Sequence, residues 1–327
     1  MVMVAVVIAL ALLFDFLNGF HDAANSIATV VVTQTLTPLQ AVVLAGVANF
    51  VGYFTFGTAI AKTVGKGIIQ VDHVTLPIIL AALIGAITWN IVTWLLGLPT
   101  SSSHALIGGL VGSGVACAGT HVILWAGVLK IVIFIFIAPL IGMLSAIIFT
   151  TILFWLFRKS NYSKSRNIFK YLQLASSFVY SIGHGTNDAQ KTMGVIALAL
   201  FTGGITKTFH LSGWVVLACY CSISLGTMLG GWRIVKTMGT KITKIRAMEG
   251  FSAETASALV LLGTAHFGIP VSTTHVIAGS IMGVGTVEHA NTVRWITARK
   301  IIWAWLLTIP LTALCAAISY FIISMFL

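Results

Sequence analysis

Charge is what this sequence has least of. Only 8% of its 327 residues are Asp, Glu, Lys or Arg, against about a quarter in an ordinary soluble domain. A soluble globule of this length needs a polar rind, and this composition does not supply one. Intrinsic disorder is excluded as well, because disordered chains are rich in charge and poor in apolar residues. Acids are scarcer than bases: seven Asp and Glu stand against 18 Lys and Arg, for a net charge of +11. There are four cysteines, Cys117, Cys219, Cys221 and Cys315. They lie in or beside apolar segments and read as small core residues, not as a disulfide framework or a metal site. Strict apolar/polar alternation is weak, which argues against an outer-membrane barrel.

What is present is apolar. The share is 58% and the mean hydropathy +1.04. It is gathered in repeated stretches of 18 or more residues, the mark of an all-α polytopic membrane protein. The stretches fall near 2–33, 38–61, 74–98, 104–119, 121–157, 171–202, 211–232, 250–268, 275–290 and 297–327. The first lacks a basic leader and runs directly into Asp15, Asn18, His21 and Asp22, so it reads as a first span and not a cleaved signal. The one solvated run, 158–166, divides the chain. We expect a first transmembrane repeat over 1–157, a short basic cytoplasmic linker over 158–170 and a second repeat over 171–327.

Most of the basic residues flank apolar segments, so the positive charge reports topology and lipid headgroups and not nucleic acid. The clusters at 158–170, 233–246 and 294–300 are expected on the cytoplasmic side of a prokaryotic inner membrane. Counting back over five segments puts the N-terminus outside, and the C-terminus with it. Five crossings per half is odd, so the two halves should run in opposite directions through the membrane.

The chain also repeats itself. The run Pro99-Thr100-Ser101-Ser102-Ser103-His104 returns 171 residues later as Pro270-Val271-Ser272-Thr273-Thr274-His275. The run Gly19-Phe20-His21-Asp22-Ala23-Ala24-Asn25-Ser26 returns 166 residues later as Gly185-Thr186-Asn187-Asp188-Ala189-Gln190-Lys191-Thr192. Two motifs in the same order at nearly the same offset indicate a duplication. In a membrane protein this points to a transporter built from two inverted-topology repeats of about five hydrophobic segments each.

Acids at membrane depth are costly and usually face a cavity or one another. Asp72 falls in a loop, Glu249 at a segment start and Glu288 near a segment end; Asp15, Asp22, Asp188 and Glu254 are the candidates for burial. A pseudo-two-fold axis would bring the equivalent acids Asp22 and Asp188 to one central site; the structural alternative is a local pairing, as with Lys191. Gly19 and Gly185 could permit helix breaks whose free carbonyls, with the carboxylates, suit Na⁺, or H⁺ on a carboxylate. The PTSSSH and PVSTTH runs suit an anion. Proline disfavours a continuous helix there, Ser and Thr cap a new one, and the free N–H groups and positive dipole end of a helix start attract an oxyanion. Broken helices or re-entrant turns are therefore expected at both runs. His21, His104, His184 and His275 either pack within helices or ligate and relay protons.

These motifs resemble those of the inorganic phosphate transporter (PiT) family. The duplicated GxxD signature is matched at Gly19–Ser26 and Gly185–Lys191, the PxSxxH-like runs match too, and Gly250-Phe251-Ser252-Ala253-Glu254 precedes the second of them. The resemblance covers nearly the whole chain. It implies secondary transport of inorganic phosphate with Na⁺ or H⁺ by alternating access, with no catalytic residues and no cofactor. It implies that Ser101, Ser102, Ser103, Ser272, Thr273 and Thr274, with Gln190, hold phosphate. Asp22, Asn25, Asn187 and Asp188 would serve the coupling cation, with Na⁺ as a possible ion there. Glu254, His21, His104, His184, His275 and Lys191 would support them or relay protons. His21 stands where many members carry Asn, and Asn49 where eukaryotic members tend to carry Glu, so the ion stays open between Na⁺ and H⁺. Partners beyond phosphate, cation and lipid bilayer are limited to further copies of the chain. The alternatives are a sulfate or other oxyanion symporter, an anion channel, and an intramembrane enzyme using Ser/His pairs.

Overall fold

The computed structural model describes residues 1–54 and 58–326, excepting the side chains of 162–164, 288 and 290. Its described residues form twelve α-helices. The first half holds α1 (Val2–Val32), α2 (Pro38–Val51), α3 (Ala59–Lys66), α4 (Leu76–Leu96), α5 (Ser102–Ala118) and α6 (Trp125–Phe157). The second holds α7 (Tyr162–Thr202), α8 (Gly213–Leu229), α9 (Trp232–Lys236), α10 (Ala247–His266), α11 (Thr273–Glu288) and α12 (Trp295–Ser324). Helix is the solution that satisfies every backbone N–H and C=O within one segment, as an apolar solvent demands.

Helices α1, α4, α6 and α12 are each long and apolar enough to cross a bilayer alone, at 31, 21, 33 and 30 residues. On α6 the residues Leu129, Ile133, Phe136, Leu140, Leu144, Ile148 and Ile152 are all exposed. Their spacing of three to four puts them on one helix face, the lipid-facing stripe. Exposed Trp125 and Trp155 close the two ends of that helix. At 1.5 Å per residue they lie about 45 Å apart, which matches a bilayer with its headgroups, about 40–45 Å. Trp305 departs from the interfacial pattern and is buried.

Helices α5 and α11 are short, at 17 and 16 residues, and most of α5 is buried. Both are shorter than the four long apolar helices. Each starts after a sharp turn built from the same parts. Gly97 (φ 64°) follows α4 and Gly268 (φ 63°) follows α10, in the left-handed region that disfavours a Cβ. Pro99 and Pro270 come next, outside the helices and ahead of the caps. Ser101 and Ser272 then cap α5 and α11 by accepting from the backbone N–H of His104 and His275, at 3.2 Å in both cases. The two glycines are 171 residues apart, as are Pro139 and Pro310, the prolines inside α6 and α12.

Two expectations are corrected. The helices do not break at Gly19 and Gly185, since α1 and α7 run unbroken through both. Each glycine instead permits a close helix crossing. A Cβ on Gly19 would lie 2.1 Å from the Ile223 carbonyl oxygen of α8, and one on Gly185 2.7 Å from the Asn49 carbonyl oxygen of α2. α7 starts at Tyr162, within the stretch expected as the linker; the side chains of 162–164, Lys164 among them, lie outside the described residues. All four cysteines are free thiols, but Cys221 is exposed and not a core residue.

The halves are interleaved. α1 packs on α8 and α7 on α2; α5 packs on α12 and α11 on α6. Both main apolar cores draw residues from both halves. The crossings are tight in matched places: a Cβ on Gly112 would sit 2.0 Å from the Ala313 carbonyl oxygen, and one on Gly283 2.4 Å from that of Met143. Overpacking costs about 1–3 kcal/mol. Gly112→Val and Gly283→Val should therefore each lower the thermal unfolding midpoint in detergent. Gly213→Val, which meets open space, should leave it nearly unchanged.

Candidate functional site

Four elements meet at the centre: the middles of α1 and α7, and the starts of α5 and α11. Helices α1 and α7 each carry a buried acid, Asp22 and Asp188. One ligating atom from each of Asp22, His184 and Asp188 lies within 4.8 Å of the other two. The duplicated acids thus come together from opposite halves.

The helix starts reach across in a matched pattern. Asn25 of α1 donates to the Thr274 hydroxyl of α11 at 2.9 Å. Lys191 of α7 donates to the Ser103 hydroxyl of α5 at 2.5 Å. Asn25 and Lys191 are repeat equivalents, and so are Thr274 and Ser103. Thr273 donates to Asp188 Oδ2 at 3.1 Å, while the hydroxyl of its counterpart, Ser102, is buried without a hydrogen-bond partner.

Each acid also meets an imidazole. His21 Nδ1 lies 2.7 Å from Asp22 Oδ1, and its Nε2 3.1 Å from the Thr93 hydroxyl. His184 Nε2 lies 3.2 Å from Asp188 Oδ2 and its Nδ1 3.2 Å from Asn49 Oδ1. The hydrogen bonds fix the sense of this second chain. The Thr227 hydroxyl has one proton, placed toward the carbonyl of Ile223 or Gly19, so it accepts from Asn49 Nδ2 at 2.8 Å. Asn49 Oδ1 therefore accepts from His184 Nδ1–H. In a neutral imidazole, Nε2 then turns a lone pair toward the Asp188 carboxylate. That contact is repulsive unless a proton or a cation lies between them.

The remaining expected residues are placed as follows. Ser101 and Ser272 are the caps of α5 and α11. Gln190 Oε1 accepts from the Ile60 N–H at 3.0 Å, at the start of α3. Asn187 Nδ2 donates to the carbonyls of Gly183 and Leu261, tying α7 to α10, while its Oδ1 is buried without a hydrogen-bond partner. His104 and His275 sit against each other, ring centres 4.8 Å apart, and His275 stacks on Trp305 at 4.0 Å. Trp305 Nε1 donates to the Pro99 carbonyl at 2.9 Å, so this pair backs the helix starts. Glu254 stands apart from the acid pair. It accepts from Thr29 and Ser176 at 2.5 Å each and from Gln173 at 3.1 Å. Asp15 accepts from Thr192 at 2.8 Å. A cavity of about 240 Å³ between α1 and α4 reaches His21 and Asn90.

Sequence reasoning missed Asn49 and Thr227 as the support of His184, Thr93 as the partner of His21, and Trp305. One available signal was the repeat offset itself, which aligns His184 with Asn18, a second difference between the two halves.

The model of the Phosphate transporter family matches residues 18–316. The chain is 52% identical over 315 residues to a probable low-affinity inorganic phosphate transporter of Rhizobium meliloti (strain 1021), covering 96% of this chain and 94% of that one. It is 43% identical to a protein of the same description from Bacillus subtilis (strain 168), covering 99% and 98%. A solved structure described as "The sodium-dependent phosphate transporter" matches with a TM-score of 0.91 and 26% identity over the whole of both chains.

Replacing Asp188 leaves the Lys191 ammonium buried without its counter-charge, and breaking such a pair costs about 3–5 kcal/mol. Asp188→Asn should lower detergent stability by that order. Glu254→Gln, whose partners are neutral hydroxyls and an amide, should cost about 1 kcal/mol. Thermal unfolding of the two variants checks the ranking.

Proposed function

The chain belongs to the phosphate transporter family, and on that premise we propose that it is a cation-coupled symporter of inorganic phosphate working by alternating access. The observation that carries this reading is the meeting of Asp22 and Asp188 between two capped helix starts. Two carboxylates repel an approaching phosphate. A cation bound between them removes that repulsion, so cation and phosphate favour each other's binding, and the coupling is reciprocal. The similar structure bears a sodium-dependent title, and the unshared lone pair of His184 Nε2 supports a cation or proton at the same place. Relatives are named as transporters, and this removes the intramembrane enzyme.

In this reading Asp22, Asp188 and His184 hold the cation. The starts of α5 and α11 supply the phosphate ligands: the hydroxyls of Ser101, Ser102, Ser103, Ser272, Thr273 and Thr274, with free N–H groups and the positive dipole ends behind them. Gln190 completes the set. Asn25 aligns α1 with α11, and Asn187 anchors α7. Rocking of one set of helices against the other then exposes the site alternately to the two sides.

The basic clusters support a cytoplasmic assignment of one end. Arg158, Arg166 and Arg246 line one cavity, and Arg294 donates to the Thr240 carbonyl. Val4 packs near Gly203 at the far end of α7, and α12 leads away from Arg294 over 30 residues. Both termini then lie on the opposite, extracytoplasmic face.

Purified protein in liposomes should accumulate labelled phosphate when a Na⁺ or a pH gradient is imposed, and the effective gradient names the ion. Sulfate in excess should leave that uptake standing. Asp22→Asn should reduce it to background without opening a passive phosphate leak. Uptake indifferent to both gradients would sink the symport reading, and a leak in the variant would favour the channel.

A further inference from the structure

Within the duplicated motif around Asp22 and Asp188, one position changes from a neutral amide to a lysine. Asn25 and Lys191 occupy the same place in the duplicated motif, 166 residues apart. They also make the same contact, each with the third residue of the opposing capped run: Asn25 with Thr274, Lys191 with Ser103. Lys191 is 2% exposed. Its ammonium is met by three oxygens: Asp188 Oδ1 at 2.5 Å, the Ser103 hydroxyl at 2.5 Å and the Val271 carbonyl at 2.9 Å. A carboxylate, a hydroxyl and a backbone carbonyl are also the donors a hard monovalent cation takes.

We propose that the Lys191 ammonium is a resident cation, standing in the second half where the first half presents a neutral amide, so that the central acid pair takes one mobile cation and not two. The charges support this. Of the two carboxylates, that of Asp188 already has the Lys191 ammonium at 2.5 Å as its counter-charge, which leaves the Asp22 carboxylate as the one for a mobile ion to balance. The proposal rests on the symport reading for its consequence, a smaller number of cations moved per phosphate. Its evidence is the contact symmetry, which holds whatever the chain transports.

The decisive variant is Lys191→Asn, which restores the first-half residue and frees Asp188, Ser103 and the Val271 carbonyl. Purified protein is melted in detergent with NaCl or with choline chloride at equal ionic strength. Lys191→Asn should gain a Na⁺-dependent rise in melting midpoint of about 3 °C at ten times the Kd of the new site, beyond any rise in the unaltered protein. Recovery of folded variant in NaCl but not in choline chloride is the same result in stronger form. A variant that responds to Na⁺ no more than the unaltered protein, or that fails to fold in either salt, overturns the proposal. Asp22→Asn is the second arm. It leaves Asp188 and Lys191 balanced, so any Na⁺ response of the unaltered protein should vanish; a response that survives at full size also overturns it. None of these melts requires phosphate movement, so failed uptake in liposomes leaves the result readable.

Discussion

A charged group inside a membrane protein must have a partner, because no water is there to solvate it. That constraint organises this molecule. Apart from Glu249, which accepts from the Arg246 N–H at the start of α10, its buried acids fall into separate polar clusters: Asp22 and Asp188 at the centre, Glu254 among Thr29, Ser176 and Gln173, and Asp15 with Thr192. In each at least one partner comes from a different helix: Thr273 of α11 for Asp188, Thr29 of α1 for Glu254 and Thr192 of α7 for Asp15. The scarce charge is thus also what fastens the halves together.

Bringing those partners within hydrogen-bond distance requires helices that approach closely at chosen places. Glycines supply the approach at Gly19 against Ile223 and Gly185 against Asn49. Where a helix must instead stop and restart in the interior, a left-handed glycine, a proline and a serine cap do the work, at Gly97 to Ser101 and again at Gly268 to Ser272. The same glycine chemistry yields opposite outcomes. At Gly97 and Gly268 the chain turns because φ is positive and a proline lies ahead; at Gly19 and Gly185 it continues because no proline follows and the helix hydrogen bonds persist. Reading the latter pair as breaks overlooked that second condition.

Much was legible before any coordinates. The apolar stretches located the spans, since nothing else stabilises such runs, and the offsets of 166 and 171 residues paired Asp22 with Asp188 and the two serine/threonine runs with each other. The meeting of Asp22 with Asp188 follows from symmetry and needs no side-chain detail. What could not be read were features fixed by tertiary contact. Asn187 belongs to the motif, yet its amide faces α10, because a neighbour in sequence is turned by about 100° on a helix. His275 ends its motif, yet stacks on Trp305, thirty residues away in sequence and placed there by the interleaving of halves. Asn49 was noticed as a departure from a pattern, but its role as acceptor for His184 depends on α2 crossing α7 at Gly185.

The duplication is close in geometry and unequal in chemistry, and the inequality matters more for transport. One half presents Asn18, Asp22 and Asn25; the other presents His184, Asp188 and Lys191 at the same positions. A perfectly symmetric pair would offer a site that looks alike from both sides, with each half equally ready for an ion. Here Asp188 is already engaged by Lys191 and Thr273, whereas the Ser102 hydroxyl, counterpart of Thr273, remains unpartnered. On the symport reading, the first half is then the adaptable side, where arriving ion and phosphate find free polar groups. The second half is the held side, organised in advance by its own lysine. Preorganising one half lowers the ordering cost of assembling the site around its substrates, and leaving the other half open keeps a binding-competent place for the ion whose arrival must be felt.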